Sequence, residues 1–510
     1  MRVTLIYAKS RLIKQKSAGI GGFDNAPGEY ARDDIFPPLG IASIGAVLLE
    51  KGHDVKLIDD SIEDEATLVE AIKWADVVGV SALTSNARRG REIGHQAKNL
   101  GKFVVLGGPH PTVAPEYFLN DGCCDITVQS EGDYTMPEVV EKKDHPETWD
   151  SILGVTFLRD GKMIATPRRP FIKNLDELPY PAYHLYDMPR YFKFMVNPGI
   201  PIVSSRGCPY SCTFCDEEMT PRSYRAMSAK RTVDLMEKLL REYDPPQLFF
   251  FDDLFTIQKK RVMSICDDII ERGMFVEWSC ESRVDTVTFD MLRAMRRAGC
   301  IKIYYGLESG SPNQLVAIKK KVTPEGILNG AKLNREIGMY YKFFIIFGFP
   351  GETDEDHKCT EQIVTQAMPH NIAVSLLCPH KGTEVYEQVK DRIIQHPEDV
   401  EYGYWHQTEM WKHDRYTYAQ LQEARDWLTS QHRKKCMGFT ARLQRKWERL
   451  VALVRHPELI RDLMEIRARR KAYRKRVAGW VGKDGRMTVD AKVSKPSTPS
   501  TAERKPVNVG

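Results

Sequence analysis

Three cysteines fall within eight residues of this chain, in the segment Arg206-Gly207-Cys208-Pro209-Tyr210-Ser211-Cys212-Thr213-Phe214-Cys215, and their C-x3-C-x2-C spacing is the strongest constraint in the sequence. Three is the informative number. Structural zinc takes four ligands in a tetrahedron, and neither a fourth Cys nor a His stands beside this stretch to complete one. Iron–sulfur clusters are held by thiolates, and a 4Fe-4S cube gripped by only three of them leaves one iron free to bind a substrate. The competing readings are a zinc knuckle that has lost a ligand and three unrelated core thiols.

With the aromatic Phe214 directly before the last Cys, the stretch resembles the signature of the radical S-adenosylmethionine (radical SAM) superfamily. The resemblance implies that Cys208, Cys212 and Cys215 hold a 4Fe-4S cluster. Its open iron would chelate the amino and carboxylate groups of SAM, with Phe214 beside them. It also implies the chemistry: one electron from the cluster splits the sulfonium and releases a 5′-deoxyadenosyl radical.

Oxidants destroy such a cluster, so eleven cysteines in this chain point to a reducing cytoplasm and not to a disulfide framework. Most of the other eight lie in apolar runs and read as buried thiols. No run of 18 apolar residues occurs, and the chain opens on the strand-like Val3-Thr4-Leu5-Ile6-Tyr7, which argues against a membrane span and a secretory signal. At 510 residues, 42% hydrophobic and 28% charged, the composition is that of a soluble protein with two or three domains.

Residues 1–140 alternate short apolar runs (3–7, 54–59, 77–82, 103–107 and 126–129) with helical patterns such as 40–51 and 68–74. That alternation predicts a Rossmann-like parallel sheet covered on both faces, binding a ligand beyond the C-terminal ends of its strands. The loops there are rich in small residues: 81–86, 107–112 and 130–133, with Pro37-Pro38-Leu39-Gly40 opening the first helix. No G-x-G-x-x-G follows the first strand, which disfavours a dinucleotide. Placed before a radical SAM motif, this region resembles the cobalamin-binding domain of the superfamily's cobalamin-dependent branch. The resemblance implies cobalamin contacts at Ser81, Thr84, Gly107, Gly108, His110, Glu131 and Gly132. The D-x-H-x-x-G motif of other cobalamin proteins is absent, so cobalamin is expected base-off, with His110 a loop residue and not an axial ligand. The alternative is a Rossmann-like module that has lost its cofactor.

Residues 141–200 read as a connector, with a hairpin turning at Asp160-Gly161 and a stiff Pro-rich run at Leu178-Pro179-Tyr180-Pro181. From 201 to 390 a second alternation can be counted: strands at 202–205, 248–252, 276–281, 301–307, 343–347 and 372–377, with helices at 229–243, 260–272, 288–298, 324–338 and 354–368. Six units are too few for a closed eight-stranded barrel. The resemblance implies a partial (β/α)6 barrel with the cysteines after its first strand. It further implies SAM contacts from later strand ends: backbone at Asp252 and Asp253, the Arg283 guanidinium on the SAM carboxylate, the Glu308 carboxylate, and backbone at Gly348.

Residues 391–481 look helical, and 431–480 holds 16 Lys/Arg against 4 Asp/Glu. That segment reads either as the solvated face of a bundle or as an amphipathic surface for anionic lipid or an acidic partner. No nucleic-acid recognition module accompanies the charge. Residues 482–510 read as a disordered tail. The function expected is a cobalamin-dependent radical SAM enzyme, a C-methyltransferase using methylcobalamin that a second SAM regenerates. Its substrate would be a small molecule such as a lipid, tetrapyrrole or natural-product precursor, and its electron donor a flavodoxin or ferredoxin. The architecture also resembles the anaerobic magnesium-protoporphyrin monomethyl ester cyclase, which implies oxidation or rearrangement instead. A non-catalytic iron–sulfur binding protein is the alternative outside enzymes.

Overall fold

The computed structural model describes residues 1–9, 35–195, 197–216, 222–400 and 408–478. The expected tail at 482–510 lies outside them.

The first alternation folds as expected and then continues. Strands β1 (Arg2–Tyr7), β2 (Asp54–Asp59), β3 (Val77–Ser81), β4 (Phe103–Gly107) and β5 (Ile126–Val128) run parallel in the order β2-β1-β3-β4-β5. Their residues are apolar on both faces because helices cover both, Leu39–Glu50 on one side and Ala87–Asn99 on the other. The hairpin expected within the connector, β6 (Val155–Arg159) and β7 (Lys162–Ala165), is part of this sheet, since β6 pairs antiparallel with β5. Asp160 and Gly161 both take positive φ, 50° and 72°, the geometry a two-residue hairpin turn demands. Residues 141–165 therefore complete the first sheet.

The second alternation gives β8 (Ile200–Ile202), a short ribbon of β9 (Ser205–Arg206) with β10 (Arg225–Ala226), and then β11 (Gln247–Phe250), β12 (Glu277–Ser282), β13 (Cys300–Glu308), β14 (Tyr340–Phe347) and β15 (Asn371–Leu376). The six strands other than the ribbon are all parallel, in the sequential order β8-β11-β12-β13-β14-β15. Sequential order with right-handed helical crossovers winds a barrel wall, here left open between β15 and β8. Four of the barrel helices begin where Ser or Thr satisfies a first-turn N–H: Ser228, Thr288, Thr323 and Thr353 each cap one, and Thr353 forms a capping box with Asp356. Large aromatic side chains fill the wall, with Trp278 buried against Phe250 and Phe255.

Three C-terminal helices, Tyr418–Cys436, Phe439–Arg455 and Glu458–Ala478, lie against the outside of the barrel. Arg293 holds the buried Asp462 with two hydrogen bonds of 2.6 and 3.0 Å, and Arg335 bonds Glu448 at 2.6 Å. Among the described residues no helix is long and apolar enough to cross a membrane.

Candidate functional site between two sheet mouths

In the order β2-β1-β3 the chain reverses direction of growth, and the crevice of a doubly wound sheet opens at that switch, beyond the strands' C-terminal ends. A cavity of about 690 Å³ lies there. Its sheet-side wall includes Tyr7, Asp59, Ser81, Gly107 and Gly108, and its far wall is the barrel's Ser205, Arg206, Gly207, Phe251 and Asp253. The space is kept by missing side chains. Gly108 sits at φ 99°, where a Cβ would meet the Ala82 carbonyl at 3.0 Å, and a Cβ on Gly132 would meet Ile44 at 2.9 Å.

Five of the expected cobalamin contacts, Ser81, Gly107, Gly108, Glu131 and Gly132, line this cavity; Thr84 and His110 do not. Thr84 opens a short 3-10 turn beside it. His110 is fully buried against Tyr117 and Phe118, and neither ring nitrogen has a hydrogen-bond partner among the described residues. Burial pushes it down to about 4, so the ring is neutral. Glu131 lines the cavity but its carboxylate is engaged elsewhere: Oε1 accepts from Arg206 (3.1 Å) and Arg225 (2.8 Å), and Oε2 from the Ile172 amide (2.8 Å). Arg206 also donates to Asp133 at 2.9 and 3.1 Å, and Asp133 accepts from Ser43 at 2.5 Å. The network joins the two halves directly behind the cysteine loop. One carboxyl on the sheet side has no cationic partner among the described residues: Asp59, whose Oδ2 accepts from the Tyr191 hydroxyl at 2.8 Å and which burial raises to about 6.

On the barrel side, Cys208 is half-buried, Cys212 buried and Cys215 exposed, and all three are free thiols. Burial pushes Cys208 and Cys212 up from their ordinary value. Among the described residues no three His, Cys, Asp or Glu side chains converge to hold a single metal ion. A cube does not require that, because its three thiolates bind three different corners, and one short loop carrying three unpaired thiols fits it. Asp253 accepts from the Gly207 amide at 2.9 Å, and the fully buried Asp252 accepts from Ser204 N and Oγ (both 2.7 Å) and Ser205 Oγ (2.6 Å). Both carboxylates at the end of β11 thus tie down the approach to the cysteines.

Arg283 is buried and its guanidinium is nearly saturated: Nε and Nη2 hold Asp285 at 3.0 and 2.9 Å, Nη1 and Nη2 hold the Lys320 and Lys321 carbonyls at 2.7 and 3.0 Å, and its plane covers Tyr210 at 3.8 Å. One Nη1 hydrogen remains. The loop it grips leans on the cysteines, with the Thr213 amide donating to Ile318 O at 3.1 Å. Glu308, at φ 62°, pairs with the buried Lys320 Nζ at 2.9 Å, and a Cβ on Gly306 would strike both side chains. Lys320 also lies 5.8 Å from the Phe214 ring, which packs on Phe349. The Gly348 amide, at φ 89°, donates to Glu352 at 2.5 Å, and its Cα faces Leu421 of the first C-terminal helix. Sequence reasoning missed Arg206, Arg225, Asp133 and Lys320. For Arg206 a signal exists, its place two residues before the first Cys.

A doubly wound sheet whose crevice opens onto the C-terminal face of a partial barrel, beside a three-cysteine loop, defines a two-cofactor radical enzyme. Comparison with known proteins agrees. Residues 31–140 match the B12 binding domain model and residues 202–362 the Radical SAM superfamily model. An uncharacterized methyltransferase of Pyrococcus horikoshii is 34% identical over 69% of this chain and 78% of its own length. The anaerobic magnesium-protoporphyrin IX monomethyl ester cyclase of Rubrivivax gelatinosus is 26% identical over 70% of this chain and 67% of its own. The solved cobalamin-dependent S-adenosylmethionine radical enzyme OxsB, with aqua-cobalamin and S-adenosylmethionine bound, superposes with a TM-score of 0.61 at 20% identity, over 76% of this chain but only 54% of OxsB. The chain belongs to the radical SAM superfamily, in the branch that carries a B12-binding domain. It is an enzyme whose cofactors are cobalamin, SAM and a 4Fe-4S cluster.

Proposed function

We propose that the protein is a C-methyltransferase that acts on an unactivated carbon of a small molecule in the cytoplasm, drawing electrons from a flavodoxin or ferredoxin. The single observation that carries this reading is the shared chamber: the cavity beyond the first sheet has the barrel's Arg206-Gly207 and Asp253 as its opposite wall, so that a methyl donor and a radical source bound there would face one substrate. Bound there, cobalamin supplies the methyl group and the cluster the electron that cleaves SAM.

The chain's own residues hold and orient. Cys208, Cys212 and Cys215 grip the cluster, while the Asp253 and Asp252 carboxylates fix the backbone that presents them. Glu308 and Lys320 set a buried carboxylate and ammonium side by side near Cys212, complementary to the ammonium and carboxylate of an amino acid. Arg283 positions that pair by clamping the 320–321 carbonyls, and its one remaining Nη1 hydrogen would be available to SAM. Phe214 and backbone at Gly348 complete the SAM wall. On the sheet side Ser81, Gly107, Gly108 and Gly132 would let a corrin lie against backbone, and His110, which does not line the cavity, would take no part in holding it.

The magnesium-protoporphyrin cyclase relative favours a second reading, oxidation or rearrangement of a tetrapyrrole-like substrate with the same cofactors. Product mass separates the two. Anaerobically reconstituted enzyme given SAM, a reductant and extract of cells lacking the protein should yield a product heavier by one CH2. Loss of hydrogen or gain of oxygen would establish the cyclase type, and absence of 5′-deoxyadenosine would overturn both.

A further inference from the structure

The helix Phe439–Arg455 carries two apolar faces, and only one of them is used. Its inner face is settled: Ala441 and Ala452 are buried, Glu448 bonds Arg335, and Arg445 Nη1 donates to the Cys436 carbonyl at 2.7 Å. On the other side Phe439, Leu443, Trp447, Leu450 and Val454 stand in solvent, Phe439 at 76%, Trp447 at 66% and Val454 at 77% exposure. At about 100° per residue these five fall within an arc of about 80°, a continuous stripe along the whole helix. Five large side chains in one exposed row are not the scattered apolar residues of an ordinary surface. In the next helix Ile460 and Met464 are also exposed.

Charge decides what covers the stripe. Arg442 and Lys446 flank it, Arg461 and Arg467 follow on the neighbouring helix, and all four are exposed with no carboxylate in ion-pair distance among the described residues. Two copies meeting stripe to stripe would bring these cations together without counter-charges. An anionic bilayer offers both what the stripe and what its border require, an apolar boundary and phosphate. We infer that this face docks the enzyme on an anionic lipid surface, the Phe439–Arg455 helix lying in the interface plane with Phe439, Trp447 and Val454 entering it. The inference goes beyond the methyl-transfer reading and does not depend on it, since docking is read without turnover.

Flotation of the full-length holoenzyme with vesicles tests it, comparing phosphatidylcholine alone with phosphatidylcholine containing about 30% phosphatidylglycerol, at about 50 and about 500 mM salt. The protein should float with the anionic vesicles at low salt only. The Trp447→Ser/Val454→Ser double variant should lose about tenfold of that binding while forming 5′-deoxyadenosine from SAM at the wild-type rate. A wild-type protein that never floats, or a variant that floats equally well, overturns the proposal. So does a dimer in sedimentation that the double variant dissolves, which would assign the face to a second copy.

Discussion

The two mouths that face each other across the cavity are built on opposite plans. Around the cysteines the barrel pairs its charges, Arg283 with Asp285 and Lys320 with Glu308, and Asp253 accepts from the Gly207 amide. At the sheet mouth the cavity is lined mostly by apolar side chains interspersed with Gly and Ser, and two of its carboxylates, Glu131 and Asp133, turn to bind arginines of the other half. On the proposed reading, the first mouth would recognise a small zwitterion through directed polar groups. The second would accommodate a large ring system by shape, while its carboxylates join the two halves.

Removing the thiols should break this comparison most completely on one side only. Replacing Cys208, Cys212 and Cys215 with Ala should abolish the cluster's visible absorption and all 5′-deoxyadenosine formation while cobalamin still binds; a retained cluster would refute the assignment. Next in size is the clamp. Arg206→Met leaves the buried Asp133 with Ser43 as its remaining side-chain partner, and stranding a buried charge costs about 3–5 kcal/mol. An unchanged denaturation midpoint would show that the halves are held by something else.

Asp59 sharpens the contrast, as the carboxyl of the sheet mouth that has no cation beside it among the described residues. Its folded value of about 6 lies above its ordinary 3.8, so the folded protein holds the proton more tightly than the unfolded chain. Stability is therefore greatest below the unfolded value and falls as pH rises from about 4 to about 6, by up to about 3 kcal/mol. Asp59→Asn should flatten that slope, and equal slopes for variant and wild type in denaturant titrations would contradict the mechanism. The smallest effect belongs to Gly108→Val. Forcing a branched side chain to φ 99° costs about 1–3 kcal/mol, and the intruding methyls should lower cobalamin affinity with the cluster spectrum unchanged. Undiminished cobalamin binding would mean that the ring does not lie on this loop.

Much of the architecture was legible because it is local. The strands and the helices at 229–243 and 324–338 lie within a few residues of where the pattern puts them. The clamp was not legible, because Glu131 meets Arg206 and Arg225 across 75 and 94 residues, and nothing in the local pattern of either end marks the other. Lys320 was hidden for a different reason. Lys319-Lys320-Lys321 reads as a solvated run, but Lys319 and Lys321 take positive φ, 55° and 53°, and that turn sends the middle side chain alone inward to Glu308. The hairpin β6–β7 was visible as a hairpin, while its membership of the first sheet rests on pairing with β5 that only the folded chain displays.

Arg206 and Cys208 are separated by one glycine. Two residues of chain reach no further than about 7 Å, whatever the domains around them do. Once the Arg206 ion pairs to Glu131 and Asp133 are made, the separation between that clamp and the first cysteine of the triad is thus set by two residues of chain. Drift of one half drags the thiol with it, and a single-residue insertion at 207 would retune the spacing of both cofactors at a stroke.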